Sequence, residues 1–239
     1  MNFFLFLVLA PLPSIIWLAF YLRKDKHPEP NKLVIRMFLL GILIVPIAGI
    51  LEQQFSSLLG KTRIINALTI TIIAFAFIEE FLKYLAVRFG ILKNPDFDEP
   101  VDAMIYLIIV ALGFAAAENI YLLSKFHETQ MPIISILEFI TTRFLGATFL
   151  HALASGITGY FLAASLLISS KIRKILVAGG LIGSIILHSV FNYIIILESS
   201  NSISETQRNI FLFILLLGNA LIISLMFKKI NKFRSVCKL

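Results

Sequence analysis

The sequence predicts an all-α fold, a polytopic membrane bundle of about seven transmembrane helices that forms one domain over residues 1–239. Three observations carry this. The 239 residues are 59% hydrophobic and only 15% charged, more apolar surface than a water-soluble domain of that size needs. Apolar runs of about 20 residues recur, each long enough to cross the hydrocarbon core as a helix. The connections between them are short, so little chain is left to fold outside the lipid.

Taken in order, the predicted spans are 2–22, 33–51, 64–89, 101–123, 139–168, 174–197 and 210–227. The first has no positive n-region and no small-x-small cleavage site, and it contains Pro11 and Pro13, so it reads as a signal anchor rather than a cleaved leader. The second follows a cation-rich connection. The third, IINALTITIIAFAFIEEFLKYLAVRF, holds Glu79, Glu80 and Lys83 inside an apolar run. The fourth ends in ALGFAAAEN, where Gly113 and Ala115 to Ala117 would let another helix approach closely. The fifth is too long for a straight crossing, which implies tilt or extension beyond the lipid. The sixth and seventh are ordinary in length. Cys237, the only cysteine, has no internal disulfide partner, stands one place too late for prenylation and is given no role.

Basic residues set the orientation. Fifteen of the 21 lysines and arginines fall in the first, third and fifth connections and the tail, against four (Lys61, Arg63, Lys125 and Arg208) in the others. The expected arrangement is an outside N-terminus and a cytoplasmic C-terminus in a cell membrane. The net charge of +7 then reflects topology and contact with the lipid bilayer. No interleaving of aromatic and basic residues of the kind that binds single strands is present, so nucleic acid is not an expected partner.

Ionisable residues inside spans are costly and are retained mainly where they serve a function. Glu79 and Lys83 are four apart and share a helix face, which suits an intrahelical ion pair; Glu80 points about 100° away and needs its own partner. Glu118 and Asn119 read either as site residues or as interhelical hydrogen-bond glue. His151, with Arg143 two turns earlier as a counter-ion or snorkelling anchor, reads as a packing histidine or a ligand. His188 and Asn192 share a face and can either donate two hydrogen bonds to an oxyanion or cross-link helices. At ~1.5 Å rise per residue, the span midpoints put Glu79 about 4–5 Å toward the inside, His151 and His188 about 4 Å toward the outside and Glu118 about 9 Å toward the outside. That spread of ~13 Å is too wide for one compact site as it stands, but span boundaries uncertain by two to four residues amount to about 3–6 Å per helix and leave convergence open; Glu118 is the member that geometry would remove first.

In this ordered set the chain resembles the PrsW family of intramembrane proteases, relatives of the CAAX prenyl endopeptidases and bacteriocin-processing enzymes. Glu79, Glu80 and Lys83 match its EExxK motif. Glu99, Pro100 and Asp102 match EPxD, Phe114, Glu118 and Asn119 match FxxxEN, and His151 and the His188–Asn192 segment HSVFN match its histidine motifs. The CAAX branch instead has EExxxR and FxxxH, which makes a prenylated substrate unlike this chain's. The resemblance implies hydrolysis of a peptide bond in a membrane-anchored protein or peptide substrate, an anti-sigma factor among the family's associations.

Two mechanisms stay open at this level. In one, Glu79 or Glu80 acts as general base on water, with His151 or the second glutamate positioning it and His188 and Asn192 stabilising the oxyanion; no cofactor is required. In the other, Zn²⁺ is held by ligands drawn from Glu79, Glu80, Glu118, His151 and His188, with three protein ligands and one open position. Lys83, Asn119 and Arg143 are supporting residues in both. The rival from another class is a proton- or cation-coupled transporter or channel using the same Glu/His/Lys cluster, although no inverted repeats are evident. An inactive scaffold that binds membrane segments is a third reading.

Overall fold

A computed structural model describes residues 8–60, 66–127, 132–168 and 170–233. Residues 2–7 of the first predicted span, together with Lys61, Arg63, Arg234, Cys237 and Lys238, lie outside the described residues. Eight helices are described: α1 (Leu12–Leu22), α2 (Asn31–Gly60), α3 (Ala67–Gly90), α4 (Pro100–His127), α5 (Ile133–Leu145), α6 (Ala147–Leu166), α7 (Ser170–Ser199) and α8 (Glu205–Ile230). There is no strand among the described residues. The all-α membrane bundle is therefore as the sequence predicts.

Among the described residues, five stretches are long and apolar enough to cross a membrane: Asn31–Gly60, Pro100–Ser124, Ile133–Leu166, Ile172–Ser199 and Glu205–Ile230. α3 is as long as a spanning helix, at 24 residues, but Glu79, Glu80 and Lys83 interrupt its apolar run.

The long fifth span is not one straight helix. It breaks at Gly146, whose φ of −104° and ψ of −101° leave the helical region, into α5 and α6. A break strands carbonyls at the end of the first segment. Here Gly146 N–H bonds back to the Thr142 carbonyl at 2.9 Å, and the indole Nε1–H of Trp17 on α1 donates to the Phe144 carbonyl at 2.9 Å. The Trp17 ring also stacks on Phe149 at 4.1 Å, so the single tryptophan pins both sides of the kink.

α4 is the core helix. Nearly all of Val101 to Ala116 is buried, against α2 on one side and α6 on the other. Glycine makes the first contact close. A Cβ added at Gly41 would lie 2.1 Å from the Val110 carbonyl oxygen, and one at Gly113 2.1 Å from the Phe38 carbonyl oxygen. The two glycines let α2 and α4 backbones touch, the packing that small residues permit in lipid. On the other side of α4, Gly159 of α6 meets Met104 in the same way.

Helix ends follow local chemistry. Asp102 accepts hydrogen bonds from the backbone amides of Asp98 and Glu99 at 2.9 and 2.8 Å, satisfying donors at the start of α4. Ser204 and Gln207 form a reciprocal capping box at the start of α8. Glu29 then ties the first connection to α4, because its carboxylate accepts a hydrogen bond from Tyr106 Oη.

Candidate active site

Four helices bring together the central acids, the lysine and the imidazoles. Adjacent positions on α3 hold Glu79 and Glu80, with Lys83 one turn on. α6 brings His151 just after the Gly146 break, α7 brings His188, and α4 brings Glu118. Glu79, Glu80, Lys83, His151 and His188 are all buried, Lys83 completely.

They converge. One donor atom from each of Glu79, Glu80, His151 and His188 lies within 4.8 Å of the other three. Lys83 Nζ donates to Glu80 Oε1 at 2.7 Å, pairs with His151 Nδ1 at 2.8 Å and stands 3.5 Å from Glu79 Oε2. His188 Nδ1 meets Glu80 Oε1 at 2.9 Å, and its Nε2 lies 3.9 Å from Glu79 Oε2. Ser155 Oγ donates to Glu80 Oε2 at 3.4 Å. The two imidazole rings meet edge to face with centroids 5.1 Å apart.

Two sequence expectations are corrected here. The ~13 Å spread in depth does not separate the residues, because the helices differ in length and the α5–α6 break resets the register of His151, so their midpoints share no common plane. Glu118 in particular stays with the group: its Oε2 lies 2.9 Å from His151 Nε2 and accepts from Arg143 Nη2 at 3.0 Å. The lysine's allegiance also differs. It sits closer to Glu80 than to Glu79, since the i,i+3 spacing reaches as readily as i,i+4.

Around this centre runs a second layer. Arg143 Nε donates to Asn119 Oδ1, and Asn119 Nδ2 donates to Thr148 Oγ1 at 3.2 Å, which joins α4, α5 and α6 beside Glu118. Thr158 Oγ1 donates to Ser184 Oγ at 2.9 Å, linking α6 to α7 below His151 and His188. The Phe114 ring of α4 lies 4.5 Å from Lys83 Nζ, a cation–π contact. Asn192 is half-buried one turn beyond His188 and makes no side-chain hydrogen bond among the described residues.

Some participants carry no strong sequence signal. Ser155 and Thr148 look like ordinary small residues of a packed span. Glu52 lies just beyond the predicted end of the second span, yet α2 continues to Gly60 and places Glu52, half-buried, within electrostatic reach of Glu79, Glu118, His188 and Lys83. An acid at the end of an apolar run was the available clue.

A separate acid group, Asp25, Glu29 and Asp102, also has donor atoms within 4.8 Å of one another. Burial pushes the carboxyls of Asp25 and Glu29 above the usual carboxylate range, with backbone and side-chain hydrogen bonds opposing it. Its hydrogen bonds to Tyr106 and to the amides at the start of α4 make it a joint between the first connection and the core helix.

Two carboxylates and two imidazoles at this spacing form a donor set suited to a transition metal such as zinc. Carboxylates outnumber cations around it, with Glu79, Glu80 and Glu118 against Lys83 and Arg143, so the group has negative charge to spare for a dication.

Comparison with known proteins agrees with this chemistry. The model of the PrsW family of intramembrane metalloproteases matches residues 29–222. The chain is 34% identical to Protease PrsW of Geobacillus kaustophilus over 187 residues, covering 77% of this chain and 76% of the relative. It is 31% identical to Protease PrsW of Oceanobacillus iheyensis over 205 residues, 86% of this chain and 89% of the relative. With Protease PrsW of Bacillus subtilis the identity is 28% over 186 residues, 77% and 79% of the two chains. No solved structure matches it. These matches set aside the transporter and scaffold readings. The chain belongs to the PrsW family of intramembrane metalloproteases, and it is a multi-pass membrane endopeptidase whose substrate is a protein within the membrane.

Proposed function

We propose that His151, His188 and Glu80 hold a zinc ion and that Glu79 is the general base. The observation that carries this is the two-sided environment of His151. Its Nδ1 faces the donor group, while its Nε2 lies 2.9 Å from the Glu118 carboxylate. Metal-binding histidines typically donate their second N–H to such a carboxylate, which fixes the tautomer and raises ligand basicity. Three protein ligands are the usual count at a catalytic zinc site.

Zinc held there supplies Lewis acidity, polarising the scissile carbonyl and lowering the pKa of a water to ~7. The remaining work falls to the chain. Glu80 is held by Lys83, His188 and Ser155, whereas Glu79 has only the longer contacts to Lys83, His151 and His188, so it is the freer carboxylate. Glu79 takes the proton as water oxygen adds to the peptide carbonyl carbon. It then delivers that proton to the amide nitrogen as the C–N bond breaks, leaving a carboxylic acid and an amine. Lys83 stabilises negative charge on the tetrahedral oxygen. In this reading it takes that role in preference to His188, both of whose nitrogens face carboxylates. The buried walls keep bulk water from the reacting atoms.

The substrate in this reading is a membrane-anchored protein, with an anti-sigma factor the leading class, and the chain is oriented with its N-terminus outside and its C-terminus in the cytoplasm. The test is metal analysis of the purified protein in detergent beside cleavage of a single-span peptide. About one zinc per chain is expected, lost in H151A and H188A, with E79Q retaining metal but not activity. Metal-free protein that cleaves in the presence of chelator would overturn the zinc assignment in favour of a glutamate-base mechanism.

A further inference from the structure

A cleft of about 900 Å³ opens away from the active-site group, between the C-terminal part of α3, the turn that follows it, the end of α6 and the start of α7. Arg88, Lys93, Arg173 and Lys174 stand around it, and Leu162, Leu166, Val177 and Leu181 are among the residues forming apolar walls. No carboxylate lines it among the described residues. The acids of the neighbouring turn, Asp96 and Asp98, line a different hollow with His27 and Glu29.

No described carboxylate neutralises the four cations, although Arg88 also lies over the Tyr84 and Phe89 rings, 5.9 Å from each centroid. None of them forms an ion pair among the described residues. Arg88 donates only to Tyr84 Oη, at 2.8 Å, and Arg173 to the Ile168 carbonyl, at 2.9 Å. Four like charges around one cleft, three of them exposed, make it a region of positive potential that an anion would relieve. The apolar remainder of the cleft calls for an apolar ligand portion. Its walls are mainly helices whose backbone groups bond internally, so they offer an extended peptide few main-chain partners. An acyl chain needs none. Phe89, 80% exposed at the rim, suits contact with lipid tails.

We propose that this cleft is a binding site for an anionic phospholipid, its phosphate held by Arg88, Lys93, Arg173 and Lys174 and an acyl chain laid against the apolar walls. Basic pockets between helices on the cytoplasmic side of membrane proteins recognise such headgroups. The site is independent of the proteolytic mechanism.

The experiment is native mass spectrometry of the whole protein in detergent, titrated with dioleoylphosphatidylglycerol or dioleoylphosphatidylcholine. One phosphatidylglycerol per chain is expected to be retained in preference to phosphatidylcholine. R88Q/K93Q/R173Q/K174Q should weaken that retention about tenfold or more. A control, K24Q/K228Q/K229Q/K232Q, removes four cations outside the cleft and should leave it unchanged. If the fourfold cleft variant does not fold, the pairs R88Q/K93Q and R173Q/K174Q should each show a partial loss. Equal retention of the two lipids, or equal loss in the cleft and control variants, would overturn the proposal. So would displacement of the lipid by inorganic phosphate or by an acidic peptide at comparable concentration.

Discussion

Replacing Glu118 by glutamine separates a ligand from a positioning residue. The side chain keeps its size, and the amide can still meet Arg143 or His151, but the anion is lost. In the structure Glu118 Oε2 is shared by His151 Nε2 at 2.9 Å and Arg143 Nη2 at 3.0 Å. If Glu118 acts through His151, E118Q leaves the imidazole in place with a weaker acceptor behind it, and zinc affinity and peptide cleavage should each fall about 10- to 100-fold. The two losses should track one another, and saturating zinc should restore most of the activity. The assay is zinc competition against a chelating dye on protein in detergent, run beside cleavage of a single-span peptide. A zinc affinity unchanged to within about twofold, with activity abolished, would refute the positioning role and make Glu118 part of the reacting group. E118Q protein with no zinc at any concentration would instead make Glu118 a ligand.

Other perturbations follow from the same geometry. K83M removes the ammonium that lies between Glu80 and His151 and should destabilise the metal-free protein by roughly 3–5 kcal/mol, with zinc recovering part of it; a thermal unfolding midpoint indifferent to both changes would contradict this. G113V puts side-chain carbon against the Phe38 carbonyl and should cost at least about 1–3 kcal/mol in the same assay, whereas G49V, at a glycine whose added Cβ meets nothing within 4 Å, should cost much less. The raised pKa values of Asp25 and Glu29 give a pH dependence of definite sign. The folded chain keeps protons there that the unfolded chain gives up near pH ~4, so their contribution is full below that pH and is lost as pH rises through the folded values. D25N should therefore flatten the fall in unfolding midpoint between pH 4 and 7, and a steeper fall in the variant would count against burial as the cause.

The helical bundle was legible because lipid imposes a simple rule: every spanning segment must be long, apolar and internally bonded. Glu79, Glu80, Glu118, His151 and His188 stood out for the converse reason, each being an expensive residue in such a segment. What the sequence could not disclose was depth. Rise per residue converts position to height only along a straight helix with known ends, and the break at Gly146 supplies neither. Trp17, whose indole caps the stranded Phe144 carbonyl, carries no sequence signal that sets it apart from the other aromatics of the apolar runs. Glu52 was hidden because α2 runs on past the apolar boundary. Ser155 and Thr148 were silent because a hydroxyl in a tight helix interface looks alike whether it serves packing or a carboxylate.

Lys83 connects these strands. A lysine fully buried in a membrane bundle is among the costliest side chains to place, and an isolated Glu79–Lys83 pair would explain it only as mutual neutralisation. The structure gives the ammonium more neighbours than neutralisation needs: Glu80, His151, the more distant Glu79, and the Phe114 ring at 4.5 Å. Those neighbours come from α3, α4 and α6, so the lysine ties carboxylate and imidazole donors of two helices together beside the aromatic ring of a third. In the zinc reading proposed above, a dication would take over part of that task, and the Phe114 ring would hold the ammonium beside the donors, where it remains available to the tetrahedral oxygen. On that reading the phenylalanine of FxxxEN, one turn before Glu118, and the lysine of EExxK act together. F114L, which preserves bulk and removes the ring's negative face, should leave the metal-free protein folded and weaken zinc binding. Unchanged zinc affinity in F114L would break that link.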